Sequence, residues 1–295
     1  MSDFARRAIT VQLIKYEGTI DGTKSSIDLS GYRCEVQVIN QGAEVNLGHL
    51  ELRIWGMNLS DMNAFATKWK SAIATKMDMV RVSAGDEGSQ PTLIFEGNIY
   101  SAFIDYGNAP EIFLNIEASA AYVYRLKTAA PNSFKGSTDV AQIIKALAAA
   151  IGYSFVNSTT SPVNIKLTDL YLSGTIIEQI YTVAKAAKIA CSIHKGVVSI
   201  WANGAAKDDL VIQVSPQTNM VGYPFYTQTG IGIKTIFMPD IENGRKVTVS
   251  GSIVDKVNGN WYVQTVNHDL STYAPNGPWF SNTLLTIEGL YVPNN

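Results

Sequence analysis

The stretch Phe237-Met238-Pro239-Asp240-Ile241-Glu242-Asn243-Gly244 runs straight into Arg245-Lys246-Val247-Thr248-Val249-Ser250. Val247 and Val249 alternate with Lys246, Thr248 and Ser250, so one side of a strand is apolar and the other wet. Pro239 and Asn243-Gly244 are turn residues placed just before that strand. Upstream stand Gly222-Tyr223-Pro224 and Ile231-Gly232-Ile233. Downstream come the run from Gly259 to His268 (Gly-Asn-Trp-Tyr-Val-Gln-Thr-Val-Asn-His) and Asn276-Gly277-Pro278-Trp279. Asn258-Gly259-Asn260 reads as a hairpin loop between two strands. Residues 207–295 are therefore a series of short antiparallel strands.

A chain of 295 residues is long enough for two or three domains with real cores. It is 46% hydrophobic but only 16% charged, a composition that suits a folded protein much of whose exterior meets partners. An ordinary low-charge β-rich protein has the same composition. The net charge of −2 and scattered basic residues, adjacent only at Arg6-Arg7 and Arg245-Lys246, argue against a general or sequence-specific nucleic-acid binder. Cys34 and Cys191 stand far apart in apolar-alternating strands, so buried free thiols are expected instead of a disulfide or metal site. Arg6-Arg7 leads into a mixed strand and no apolar run follows, so no signal peptide is read and synthesis in the cytoplasm is expected. No apolar run approaches the ~18–20 residues that span a membrane.

Residues 1–126 read as a β-barrel-like domain carrying one helix. Cys34, Val36 and Val38 alternate with Arg33, Glu35 and Gln37, Leu50, Leu52 and Ile54 with Glu51, Arg53 and Trp55, and Ile112, Leu114 and Ile116 with Phe113, Asn115 and Glu117. Ser60 is placed to cap a helix from Asp61 to about Lys76, whose stripe is Met62, Phe65, Ala66, Trp69, Ile73 and Met77. Gly85-Asp86-Glu87-Gly88 is a hairpin tip. Residues 127–206 change character. Ser137 caps a helix from Thr138 to Ile151, Tyr153–Val156 and Val163–Leu167 are strands, and Gly174 opens a second helix to about Lys188. That helix has an apolar face of Ile176, Ile177, Ile180, Val183, Ala184 and Ala187. Ile189–Ile193 and Val197–Trp201 form a hairpin around His194-Lys195-Gly196. The order helix, strand, strand, helix, strand, strand makes a small α+β sandwich.

Two sets of residues together resemble a known family. The last third, with its Pro-x-Ile-x-x-Gly turn, the Gly-x-Trp-x-Val-x-x-Val-x-His strand from Gly259 and the loop ending at Trp279, resembles the second tube domain of baseplate hub proteins of tailed phages. Leu50-Glu51-Leu52-Arg53-Ile54-Trp55-Gly56-Met57, the helix after it, Phe95-Glu96-Gly97-Asn98-Ile99 and the closing strand from Ile112 to Ala118 resemble the first. The resemblance implies a mainly β fold with an α+β part: two antiparallel β-barrel-like tube domains (1–126 and 207–295) flanking the small domain at 127–206. It implies a structural, non-enzymatic protein of the virion tail, akin to the spike-bearing hubs of contractile injection systems. Three copies would form a pseudo-sixfold ring that joins a sixfold tail tube to a threefold spike around a DNA channel. Its partners would be itself, the tail tube or distal tail protein and the central spike, with the tape-measure protein and baseplate wedge as further contacts.

No catalytic pattern competes with this. His49, His194 and His268 fall in three separate parts of the chain without metal-ligand spacing, and no cofactor is called for. His194 is expected to be exposed at its turn. His268-Asp269 is half of an acid–base pair at most, since no hydroxyl nucleophile pattern accompanies it. Asp105 and Glu117 are expected to face one another across a hairpin, the arrangement a glycan hydrolase needs. Gly230-Ile231-Gly232 lies between strands with no following helix, so it is no phosphate loop. A tail-associated cell-wall or glycan hydrolase and a carbohydrate-binding adhesin are the alternatives. Trp69, on the helix stripe, is expected in a core. Trp55 points opposite to Leu52 and Ile54, which makes it the candidate interface residue; a covering loop is the other reading.

Overall fold

The computed structural model describes residues 6–16, 25–41, 45–66, 77–107 and 109–287. The chain divides into two compact units: unit 1 takes Met1–Ile39, Gly48–Val123 and His268–Trp279, and unit 2 takes Asn40–Leu47, Tyr124–Asn267 and Phe280–Asn295.

Unit 1 is built from β1 (Arg7–Ile14), β2 (Ser26–Ser30), β3 (Cys34–Gln41), β4 (Val45–Trp55), α1 (Leu59–Phe65), β5 (Met79–Asp86), β6 (Thr92–Asp105) and β7 (Phe113–Ser119); α2 (Tyr122–Leu126) follows, with its last three residues in unit 2. The strand order is β3-β4-β7-β6-β5-β1-β2. Alternation works as the sequence leads one to expect. Val11, Leu13, Leu50, Leu52, Ile54, Val80, Val82, Leu114 and Ile116 are all buried, and the residues between them face outward. Bulges at Val82/Ser83 and Ile99/Ser101 interrupt the registers on either side of β6, which lets a long strand bend. Two expectations change. Helix α1 is capped by Asn58, whose side chain accepts from the Asp61 amide at 2.8 Å, because Ser60 already lies within the first turn. The rest of the expected helix, with Trp69 and Ile73, lies outside the described residues. Asp105 pairs with Phe113 and Glu117 with Ser101, so those two carboxylates do not face one another.

Unit 2 continues with β8 (Asn132–Asp139), α3 (Val140–Ala150), β9 (Ser154–Asn157), β10 (Lys166–Leu172), α4 (Ile176–Ala187), β11 (Ile189–His194), β12 (Val197–Ala202), β13 (Val211–Val214), β14 (Phe225–Tyr226), β15 (Gly230–Ile236), β16 (Lys246–Val249), β17 (Gly259–Thr272) and β18 (Trp279–Thr286). Helix α4 is bounded as its sequence dictates. Thr175 and Glu178 form a capping box, and Lys188 ends the helix in the left-handed conformation. Ile177, Ile180, Val183 and Ala184 are buried; Ile176 is only half-buried, and Gln179 takes a place in the core instead. The Gln179 amide accepts from Asn132 at 2.8 Å and donates to the Ala130 carbonyl at 3.2 Å, so no polar group is left stranded by its burial. Helix α3 begins at Val140, not Thr138. Residues through Asp139 belong to β8, which pairs antiparallel with β10, and Asp139, not Ser137, caps the helix by accepting from the Ala141 amide. The strand expected at Val163–Leu167 accordingly sits at Lys166–Leu172.

The second β part of unit 2 orders β14-β15-β18-β17, with β16 antiparallel on β17 and β13 parallel on β16. Ile212, Ile231, Ile233, Val247, Val249, Trp261 and Leu285 are among its buried core. The indole of Trp261 donates to the Val257 carbonyl at 2.8 Å, which satisfies its one polar atom. The hairpin loop is longer than the Asn258-Gly259-Asn260 expectation: Val249 pairs with Gly259 and Thr248 with Asn260, so the loop is residues 250–258. Among the described residues the strands are mostly antiparallel and no closed barrel forms. The expectation of a mainly antiparallel β fold stands.

The turn that opened the sequence reading is tied down by charge. Glu242 receives Lys195 Nζ at 2.8 Å, Lys207 Nζ at 3.2 Å and Arg245 Nη2 at 3.7 Å. Arg245 also reaches Asp208 at 2.9 Å. Gly244 adopts φ +81°, and a Cβ there would stand 2.5 Å from the Trp201 ring, so only glycine fits. Burial pushes the Glu242 carboxyl up, but Lys195, Lys207 and Arg245 outweigh it and hold the group well below the usual carboxylate range.

Two outcomes follow for stability. Glu242→Gln leaves Lys195 and Lys207 without a carboxylate in a partly buried site, while Arg245 keeps Asp208, and is expected to cost about 3–5 kcal/mol in thermal or denaturant unfolding. Because the folded carboxyl is held below its unfolded value, its contribution is whole above about pH 4.3 and is lost as pH falls further; the variant's melting should lack that acid step. Ile180→Asp buries an unpaired carboxylate in the α3–α4 core, where Ile180 is fully buried. The expected loss is about 4 kcal/mol or more, and a melting curve within a degree of wild type would contradict it.

Candidate assembly interface

The outward face of β4 and β7 carries a short aromatic and charged ladder. Register places Glu51 opposite Glu117, Arg53 opposite Asn115 and Trp55 opposite Phe113. The Trp55 and Phe113 rings lie 4.9 Å apart, inclined at 40°. The Arg33 guanidinium sits 4.5 Å over the Trp55 ring and is held there by Glu111 at 3.2 Å. Arg53 reaches Glu35 at 3.5 Å and stands 6.0 Å from the Phe113 ring. Trp55 is thus half-buried. It is clamped between the Phe113 ring and the guanidinium of Arg33, which comes from the segment joining β2 and β3, each contact worth roughly 0.5–1 kcal/mol. Phe103, opposite Asn115 on β6, leaves 48% of its surface exposed on the same face.

At the other end of the ladder His49, Tyr100 and Tyr122 stack, with Tyr100 6.0 Å from His49 and 4.8 Å from Tyr122. The Tyr100 hydroxyl and His49 Nδ1 are 3.4 Å apart, and His49 Nε2 lies 3.8 Å from Glu51. Burial and then the neighbouring Glu117 carboxylate push the Tyr100 hydroxyl up to about 12, so it stays a neutral donor. The face combines rigid aromatic area with charges fixed by partners, which equips it for contact with another protein surface.

The other sequence candidates do not gather into a site. His194 ends β11 half-buried, not exposed. His268 is buried, and Asp269 accepts from the Gln37 amide at 3.0 Å, which ties it into the sheet. Cys34 and Cys191 are free, buried thiols. Burial pushes both up to about 12, a Thr272 hydrogen bond pulling slightly the other way at Cys34, so neither is a nucleophile at neutral pH. Among the described residues no three His, Cys, Asp or Glu side chains form a metal-binding group, and no helix is long and apolar enough to cross a membrane. Sequence reasoning missed Arg33, Phe113, His49 and Tyr100 as neighbours of the Trp55 face. Phe113 was legible as an outward position, but which strand it lies beside depends on register.

This β-rich fold with its α+β part is shared by solved structures. The tail protein from Neisseria meningitidis MC58 shares it at a TM-score of 0.61, with 11% identity over 97% of this chain and 98% of that one. The 43 kDa tail protein of prophage MuSo2 from Shewanella oneidensis matches at 0.56, with 9% identity over 94% and 98%. The E. coli c3393 protein matches at 0.58, with 9% identity over 87% and 73%. It is described as a component of the type VI secretion system with structural similarity to the T4 bacteriophage tail proteins gp27 and gp5. At such identities the likeness is one of fold. No curated protein sequence matches the chain. The family model described as baseplate hub gp41 matches residues 14–276. The chain belongs to that family, and its role is structural, in a phage tail.

Trp55→Ala removes two ring contacts on a half-exposed face and should lower monomer stability by about 1–2 kcal/mol, while reducing incorporation of the protein into tails. Unfolding as severe as that of Ile180→Asp would make Trp55 a core residue.

Proposed function

We propose that this chain is the ring-forming hub of its baseplate. Three copies, each supplying two tube-like β parts (1–126 and 207–295) around the small α+β part (127–206), form a pseudo-sixfold ring. The ring meets a sixfold tail tube or distal tail protein on one side and a threefold spike on the other, and leaves a channel for DNA. The tape-measure protein and baseplate wedge are its further contacts, and the protein is made in the host cytoplasm. The role is one of assembly, not catalysis.

The observation that carries this reading is the hub-family match over residues 14–276, which takes in both β parts and the α+β part between them. Symmetry supplies the physical reason. A mismatch between six and three disappears if each subunit contributes two similar domains, because three closed copies then present six. Edge strands left open in one chain are covered when copies meet. A slightly acidic chain of low charge, −2 over 295 residues, suits a channel through which a polyanion must slide without being held. Quantitative mass spectrometry of purified tails tests it: three copies per tail are expected, and one or six would overturn the ring.

A further inference from the structure

The outer face of β15 and β18 in unit 2 is apolar and holds Lys234. Register places Ile236 beside Phe280, Lys234 beside Asn282 and Gly232 beside Leu284. Ile236 is 47% and Leu284 38% exposed. Phe225 of the edge strand β14 lies over Gly232, where its ring fills the place of any Cβ, yet it remains 58% exposed. The Lys234 ammonium sits 4.0 Å over the Phe280 ring, and among the described residues it meets no carboxylate. A contiguous apolar face rimmed by one such charge marks a protein contact.

The chain itself carries the complementary surface. On unit 1, Glu51 and Glu117 stand directly opposite one another, and among the described residues neither meets a Lys or Arg. Like charges so placed repel. Past the Arg53–Asn115 rung on the same face lie the Trp55 and Phe113 rings, with the half-exposed Phe103 opposite Asn115. One face thus offers apolar area with an excess ammonium, and the other offers aromatic area with two excess carboxylates. We infer that these faces meet between neighbouring copies: the β15–β18 face of one copy packs on the β4–β7 face of the next, with Lys234 entering the Glu51–Glu117 pair. Because the two patches differ, the contact is head-to-tail, which generates a ring when the rotation closes. This rests on the ring reading above and names the surfaces that would build it.

Charge reversal and its repair test the pairing. Tails are assembled with Lys234→Glu, with Glu51→Lys and with both, and hub incorporation is measured against wild type; melting of each purified variant is followed in parallel. Each single reversal is expected to lower incorporation tenfold or more without shifting the melt, and the double reversal is expected to recover most of it. If Glu51→Lys disturbs the fold, Glu117→Lys takes its place. Wild-type incorporation by both single variants, or a double variant no better than the singles, overturns the pairing. Copy number in wild-type tails separates the two claims: three copies with silent reversals sink this contact alone, while any other number sinks the ring and the contact together.

Discussion

A carboxylate ringed by three cations organises the part of the chain on which unit 2 depends. Glu242 stands in the turn before β16, Lys195 in the tight turn between β11 and β12, and Lys207 in the segment that follows β12. These three places are remote in sequence, and the charges fix where the hairpin, the crossover and the turn meet. Backbone bonds lock the same turn to β17: Gly244 N donates to the Val263 carbonyl at 2.8 Å and Val263 N to the Arg245 carbonyl at 2.9 Å. Asn243 adds a bond to the Gln264 carbonyl at 2.6 Å. Buried charge is costly to desolvate, so such a cluster adds less net stability than its Coulomb attraction suggests. What it gives is discrimination. A misplaced turn would leave Glu242 or its cations buried alone, at a penalty of several kcal/mol.

Much of this was legible because strands write their burial in alternation. Leu50, Leu52 and Ile54 announced both β4 and its outward Trp55, and Gly174 with the apolar face that follows announced α4. Failures came where a local signal met a non-local competitor. Ser137 looks like a cap, but pairing with β10 extends β8 to Asp139, and the helix waits for it. Gln179 sits on an apolar stripe and reads as a surface polar residue until Asn132 is seen to reach it. The Trp55–Phe113 pair, the Glu51–Glu117 opposition and the ion cluster at Glu242 all need strand register or a tertiary meeting of distant turns, and single-sequence periodicity carries neither.

Function follows from surfaces more than from a cleft. The three histidines are dispersed and the two cysteines are buried thiols, whereas aromatic rings and fixed charges concentrate on outward sheet faces. That is the distribution a protein needs when its work is to be held by neighbours. Family membership places it in the baseplate of a phage tail.

Imaging of purified tails at a resolution that traces strands tests the central claim most directly. The account predicts three copies of this chain in a closed ring around an open channel, with strands from both its first and its second β parts at the channel wall and its α3–α4 core on the periphery. A ring with only one β part of each chain at the wall, or any copy number other than three, would contradict it.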